Sequence, residues 1–134
     1  MGKRLIVKGA DFSTNGITAY KFVLVTTNQV KTSYTNKKLN LYNIIDISTI
    51  TANTEYFIKV TSNGNKFKDV TLALIIHKNS TYETLSQFHI GDYDPFKVEN
   101  IPDSFILQTI EDIDNNVAGD DTLTIDIYQK QEFI

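Results

Sequence analysis

Hydrophobic and polar positions alternate with a period of two along most of the chain, which is the pattern of half-buried β-strands. Residues 122–128 show this alternation without a break. Residues 70–77 have apolar side chains on both faces, which predicts a central strand that is covered on each side. The same reasoning predicts further strands over residues 19–27, 30–34, 55–61, 81–89 and 105–110.

Turn residues separate these segments. Asn63-Gly64 is the strongest short-range hairpin signal in the chain and predicts a hairpin between the 55–61 and 70–77 strands. Gly91, Pro95 and Pro102 predict a loop without regular structure over residues 90–103. The apolar positions in residues 39–47 fit either a strand with a bulge or a short helix, and periodicity does not decide between them.

Eight or nine short strands with turns between them indicate a sandwich or a barrel. The second half of the chain has a hairpin into a central strand, a long loop and two closing strands, which fits a jelly roll. We therefore predict an all-β fold, an antiparallel jelly-roll-like β-sandwich, with residues 18–134 as one domain and residues 1–17 as a separate N-terminal segment.

Composition narrows the function. The 134 residues suit a single domain, and the absence of cysteine excludes disulfides and thiol chemistry. The formal net charge of −3 argues against a nucleic-acid partner. No apolar run approaches the length of a membrane span, and the N-terminal apolar stretch is too short for a signal peptide. We expect no nucleic-acid or membrane partner.

The two histidines are the first candidates for catalysis. His77 ends a predicted core strand, and His89 precedes the 90–103 loop. Neither lies in a nucleophile elbow or beside a fixed acid–base partner. We expect both to be ordinary surface or rim residues and the protein not to be an enzyme.

Aromatic residues cluster on and beside the 90–103 loop, together with aspartates. An apolar ring stacks on a sugar while carboxylates bind its hydroxyls, so this combination predicts a site for a glycan. The alternative is that Phe88 and Phe96 belong to the core and the tyrosines only line the rim. The candidate ligand-binding residues are Tyr82, Asp92, Tyr93 and Asp94.

Acidic and amide side chains are also dense in residues 111–116 and 119–121. Calcium prefers such oxygen ligands, although the spacing does not match an EF-hand. The alternative is a solvated turn whose side chains cap their own backbone. We expect no other cofactor than a structural Ca²⁺ ion, for which the candidate ligands are Asp112, Asp114, Asp120 and Asp121.

The first seventeen residues differ from the rest. Residues 4–8 form a short predicted strand, and Gly9 and Gly16 bracket a tight segment with Phe12 as an apolar anchor. An ordinary first strand and turn is the simpler interpretation.

The string LIVKGADFS at residues 5–13, followed by NGI at residues 15–17, resembles the opening of virion and fibre proteins from phages of gut Bacteroidales, including crAss-like phages. The resemblance implies a leader into a β-rich structural or attachment domain. It implies a capsid decoration protein, head fibre or fibre adaptor, made in the host cytoplasm and located in the virion. Its partners would be capsid or other virion proteins and copies of itself, with docking through Leu5, Val7 and Phe12. The alternative function is a carbohydrate-binding module.

Overall fold

Two four-stranded antiparallel sheets pack face to face, as a computed structural model shows for residues 20–32, 38–67, 70–110 and 120–132. The predicted all-β sandwich is confirmed. The strands predicted over residues 55–61, 70–77, 81–89, 105–110 and 122–128 are all present, the last of them extended at its end. The strands are β1 (Tyr20–Thr32), β2 (Asn40–Tyr42), β3 (Tyr56–Ser62), β4 (Thr71–Lys78), β5 (Thr81–His89), β6 (Tyr93–Phe96), β7 (Ser104–Thr109) and β8 (Asp121–Glu132).

The order of the strands is that of a jelly roll. The first sheet has the order β1-β8-β3-β6 and the second the order β2-β7-β4-β5. The chain therefore pairs β1 with β8, β2 with β7, β3 with β6 and β4 with β5, like a long hairpin whose two arms wrap together around the sandwich. This arrangement puts β8 and β3, and also β7 and β4, at the centres of their sheets.

The inner faces of the central strands form the core. Alternate residues of β3, and of β8 as far as Ile127, are buried, while those between them are only half-buried. Each large apolar side chain that leaves water in this way stabilises the fold by roughly 1.5 to 3 kcal/mol. The largest of these side chains are Tyr56, Phe67, Phe105, Leu39, Ile58, Leu72, Leu74, Leu107, Leu123, Ile125 and Ile127.

The prediction of two strands in residues 19–34 was wrong. The structure has one continuous strand, β1, through the polar triplet that resembled a turn. Thr27 donates a hydrogen bond of 2.6 Å to the Asp126 carboxylate in β8. The Asn28 amide donates one of 3.4 Å to a backbone carbonyl in the loop after β2. Because these polar groups find partners within the sheet and beside it, the strand has no need to turn there.

The predicted hairpin at Asn63-Gly64 was also wrong, since β3 and β4 lie in different sheets. This turn carries the chain across the sandwich. The carboxylate of Asp121, at the start of β8, accepts hydrogen bonds of 2.7 Å from the Gly64 N–H and 3.2 Å from the Lys66 N–H. These bonds tie the turn to a third strand, so local turn chemistry does not decide the pairing of the two strands.

The loop predicted over residues 90–103 contains a strand, β6. Pro95 lies within it, opposite Phe57 of β3. A proline is tolerated there because, among the described residues, β6 is the edge of its sheet and one side of its backbone makes no ladder hydrogen bonds.

Residues 39–47 contain the strand β2, and a single turn of 3-10 helix (Ile47–Thr49) follows it. The Asp46 carboxylate caps this turn by accepting a 3.0 Å hydrogen bond from the Ser48 N–H. The stretch therefore begins as a short strand and ends where a single 3-10 turn starts. Within the described ranges, no helix is long and apolar enough to cross a membrane.

Candidate interaction surface

The outer face of the first sheet has an apolar half where a solvated face is expected. The register aligns Leu24, Tyr128, Phe57 and Pro95 in one row across all four strands. Antiparallel sheets usually carry polar side chains on the side away from the core. We call this half the aromatic face; it consists of Tyr20, Phe22, Leu24, Phe57, Tyr93, Pro95 and Tyr128.

A β-bulge marks the end of the aromatic face on β1. The pairing of β1 with β8 shifts between Leu24 and Thr26, so that Val25 is an extra residue. Beyond the bulge the outward residues of β1 are polar, beginning with Thr27 and Gln29. The same strand thus presents an apolar half and a polar half to solvent.

The rings of the aromatic face meet one another edge to face. Phe22 and Phe57 have centroids 4.8 Å apart and planes at 86°, and Tyr93 and Tyr128 have centroids 5.7 Å apart and planes at 60°. Edge-to-face pairs are the favourable geometry for aromatic side chains and hold each other in place. They do not form the flat platform of parallel rings on which a polysaccharide would lie.

Two lysines cover ring faces on this surface. The Lys130 ammonium lies 4.1 Å from the centroid of Tyr20, and the Lys59 ammonium lies 4.8 Å from that of Tyr93. Lys130 also forms an ion pair of 3.1 Å with Glu55. These cation–π contacts leave less ring face open to a sugar.

Burial raises the pKa of Tyr128 to about 12, with smaller contributions from the nearby Asp126 charge and from Tyr93. Both neighbours raise the pKa of Tyr128. The Asp126 carboxylate would repel a phenolate, and the hydrogen bond with Tyr93 favours the neutral phenol. The Tyr128 hydroxyl is therefore neutral throughout the physiological range and acts in hydrogen bonding, not as a base.

The structure does not bring the four predicted sugar-binding residues together. Tyr82 lies on the outer face of the second sheet, stacked on His77 with centroids 4.6 Å apart, whereas Tyr93 lies on the outer face of the first sheet. Asp92 is exposed in the turn before β6. Asp94 points toward the core, where its Oδ2 atom is buried and makes no hydrogen bond within the described ranges.

Asp121 belongs to the fold. Besides its bonds to the turn after β3, its carboxylate accepts hydrogen bonds from the Ser62 hydroxyl and from the Thr122 N–H. Burial alone would raise the pKa of Asp121, but the hydrogen bonds from Ser62, Gly64, Thr122 and Lys66 outweigh it and hold the pKa below its usual value. Both carboxylate oxygens are already used as acceptors.

The structure does not test the remaining predicted calcium ligands as a shared site. Asp120 is exposed, and Asp112 and Asp114 lie outside the described residues. The described part of the chain contains no group of three or more side chains suited to hold a metal. The calcium site stays a prediction.

His77 and His89 lie at opposite ends of the β4–β5 pair. His77 is opposite Tyr82, while the His89 Nδ1 lies 2.6 Å from the Thr71 hydroxyl at the other end. Thr71 and His77 are six positions apart along β4, about 20 Å at the rise of a strand. The two imidazoles therefore cannot act on one substrate atom.

Sequence reasoning missed most of the aromatic face. The strand that carries Tyr20, Phe22 and Leu24 was predicted, and the alternation of these residues with Lys21 and Val23 is visible in the sequence. Nothing local indicates which of two apolar faces lies outside, because that depends on the pairing with β8. The predicted docking residues Leu5, Val7 and Phe12 lie outside the described residues.

The fold and this surface define an all-β jelly-roll domain with an exposed apolar sheet face. No protein-family model matches the chain, and no curated protein matches it either. A similar solved structure is the Yersinia pseudotuberculosis-derived mitogen, with 13% identity, a TM-score of 0.49, and coverage of 76% of this chain and 84% of that one.

Proposed function

We propose that this chain is a non-enzymatic phage virion structural protein, either a capsid decoration protein, a head fibre or a fibre adaptor. It docks on capsid or other virion proteins through residues 1–17 and packs with copies of itself. The observation that supports an assembly role is the aromatic face. Exposed apolar patches of this kind mark sites of protein association.

The resemblance of residues 4–17 to phage virion proteins supports the choice of partner. It assigns docking to Leu5, Val7 and Phe12, which would add to an exposed sheet edge of the particle as a strand with apolar anchors. The separation of His77 from His89 supports a role without catalysis. The protein is made in the host cytoplasm and ends in the virion.

Particle incorporation tests this function. We expect a chain that lacks residues 1–17, and a variant with Leu5→Ser, Val7→Ser and Phe12→Ser, to be lost from particles purified on a density gradient. The apolar anchors supply the docking energy, so a control with Ser13→Ala, Thr14→Ala and Asn15→Ala should be retained. Circular dichroism melting of each variant checks that the sandwich is folded. Full incorporation of the deleted chain would contradict docking through this segment.

A carbohydrate-binding module is the second candidate, and one observation favours it. Tyr82 is 66% exposed and lies nearly parallel to His77, at 22°, so one face of its ring is supported and the other is open to solvent. A pyranose stacks on such a ring. We expect any glycan found on an array to lose most of its binding with Tyr82→Ala. Tyr42→Ala, an equally exposed tyrosine of the same sheet, is the control.

A further inference from the structure

The turn after β3 contains a chemically labile pair of residues, Asn63-Gly64. An asparagine side chain is open to attack by the backbone nitrogen of the residue that follows it, and a glycine in that position has no Cβ atom to hinder the attack. Asn63 is exposed at the surface of the turn, so water reaches it. The pair is therefore a site at which the chain can be modified without an enzyme.

The reaction at such a pair is deamidation. The Gly64 nitrogen loses its proton and bonds to the Asn63 Cγ atom, and the side-chain nitrogen takes up a proton and leaves as ammonia. The product is a cyclic imide, which water opens at either carbonyl to give aspartate or isoaspartate. The sum of the steps consumes one water and releases one ammonia, with no oxidant, reductant or other reactant.

The folded turn holds both reacting groups in hydrogen bonds. The Gly64 N–H donates a bond of 2.7 Å to the Asp121 Oδ1 atom. The Asn63 Oδ1 atom accepts one of 3.0 Å from the Thr124 hydroxyl, and the Asn63 N–H donates one of 2.9 Å to the Thr122 carbonyl. Because the nitrogen and the Cγ atom must approach each other, the bonds that fix them to β8 have to open first.

The Asp121 carboxylate opposes the reaction electrostatically as well. The attacking group is an amide anion, and a carboxylate at hydrogen-bond distance disfavours a second negative charge there. The carboxylate is also the reason for the glycine, since a Cβ atom at position 64 would lie 2.9 Å from the Asp121 Oδ1 atom. One carboxylate thus requires the reactive residue type and restrains its chemistry.

We propose that Asn63 is a deamidation site that the Asp121 carboxylate keeps unreactive in the folded domain. Local opening of the turn releases the Gly64 nitrogen and allows the reaction. The product carries a new negative charge at position 63, beside the hydrogen bond from Gly64 to Asp121, and isoaspartate also lengthens the backbone. A deamidated chain therefore records an opening of the crossing between the sheets and is weaker there afterwards. This property does not depend on the virion role.

Peptide mapping measures the reaction at this site. Tryptic cleavage releases residues 60–66, and mass spectrometry of this peptide follows the conversion of Asn63 during incubation at mildly alkaline pH. We expect the folded native chain to react at least about ten-fold more slowly than the same chain in guanidinium, because reaction requires local opening. In guanidinium, Gly64→Ala should slow the reaction by hindering the attacking nitrogen. An undiminished rate in either comparison would overturn the proposal.

The role of Asp121 needs a control for lowered stability. Ile127→Ala leaves a cavity farther along β8 and removes no hydrogen bond at the turn. After correction for the globally unfolded fraction, we expect Asp121→Ala to deamidate at least about ten-fold faster than Ile127→Ala. Equal rates would overturn the shielding, and a slower rate in Asp121→Ala would make the carboxylate a base that promotes the reaction.

A milder variant keeps the test valid if Asp121→Ala does not fold. Thr124→Val removes only the hydroxyl that holds the Asn63 side chain, and it should deamidate a few-fold faster than the native chain. No rise would contradict restraint of this side chain by the fold.

The consequence for the domain is measured on aged native chain. Anion exchange separates the deamidated molecules by their added negative charge. We expect them to melt at a lower temperature than intact molecules from the same sample. Equal melting temperatures would overturn the link between the modification and the crossing.

Discussion

At the scale of single residues, Asp121 joins the start of β8 to a turn more than fifty positions earlier in the chain. Its carboxylate holds the turn after β3, and the Ser62 hydroxyl that donates to it also accepts a 3.0 Å hydrogen bond from the Phe67 N–H. The crossing between the two sheets therefore rests on one charged group whose donors are mostly backbone N–H groups.

Replacement of this carboxylate by an amide should be costly at neutral pH. Asp121→Asn directs an NH₂ donor at backbone donors, so we expect a loss of about 2 kcal/mol from the free energy of unfolding. Urea denaturation at pH 7 measures this loss. The exposed neighbour supplies the control, since Asp120→Asn should change the free energy of unfolding by less than about 0.5 kcal/mol.

The lowered pKa of Asp121 also predicts a pH dependence. Because the folded pKa lies below the unfolded value of about 3.9, the stabilisation is present above that pH and is lost as the pH falls through the folded pKa. The melting temperature of Asp121→Asn should therefore fall less steeply below pH 4 than that of the native chain. An equally steep fall in both proteins would contradict this role.

Gly64 lies against the same carboxylate. A Cβ atom at this position would be 2.9 Å from the Asp121 Oδ1 atom, and the carboxylate is fixed by its hydrogen bonds. We expect Gly64→Ala to cost about 1 to 3 kcal/mol in the native chain and clearly less in an Asp121→Ala background. Equal costs in the two backgrounds would show that the close approach is not the cause.

The pKa of Tyr128, raised to about 12, gives a spectroscopic prediction. In alkaline titration by ultraviolet absorbance, the native chain should show a phenol that ionises about two pH units above the free value of about 10, and Tyr128→Phe should lose this step. Since the unfolded phenol ionises first, stability should decline between pH 10 and 12. Retention of the late step in Tyr128→Phe would assign it to another tyrosine.

At the scale of elements, β8 shows how alternation becomes stability. Ile125 is inside and Thr122 is outside on the same strand. We expect Ile125→Ala to cost about 2 to 5 kcal/mol because it leaves a cavity between the sheets. Thr122→Ala should cost less than about 0.5 kcal/mol, and denaturant unfolding compares the two.

The elements also show where sequence patterns are sufficient. Alternation placed β3, β4, β5, β7 and β8 correctly, because each has one face against the core. The turn signal at Asn63-Gly64 failed, because the hydrogen bonds there come from a residue more than fifty positions away. The proline signal failed for β6, because a proline excludes a central strand but not an edge strand, and edge position is a property of the whole sheet.

The same limit applies to the candidate site. The exposed aromatic residues Tyr82 and Tyr93 were identified from the sequence, but the topology places them on different sheets. Conversely, the row of Leu24, Tyr128 and Phe57 joins three strands that are far apart in the chain. A single sequence contains the side chains of such a surface without the register that assembles them.

At the scale of the whole molecule, the jelly roll presents the outer faces of its two sheets. We propose that this segment supplies the attachment and the sandwich supplies the display and the contact between copies. Such a protein needs no catalytic group. Its function depends on where it is located and how many copies assemble there.

Quantitative mass spectrometry of gradient-purified phage particles, combined with a reconstruction of the particle, tests the central proposal most directly. We predict that the chain is present in many copies per particle and that its sandwich occupies density on the particle surface. Abundant chain in lysates of infected cells with none in the purified particles would contradict a virion role.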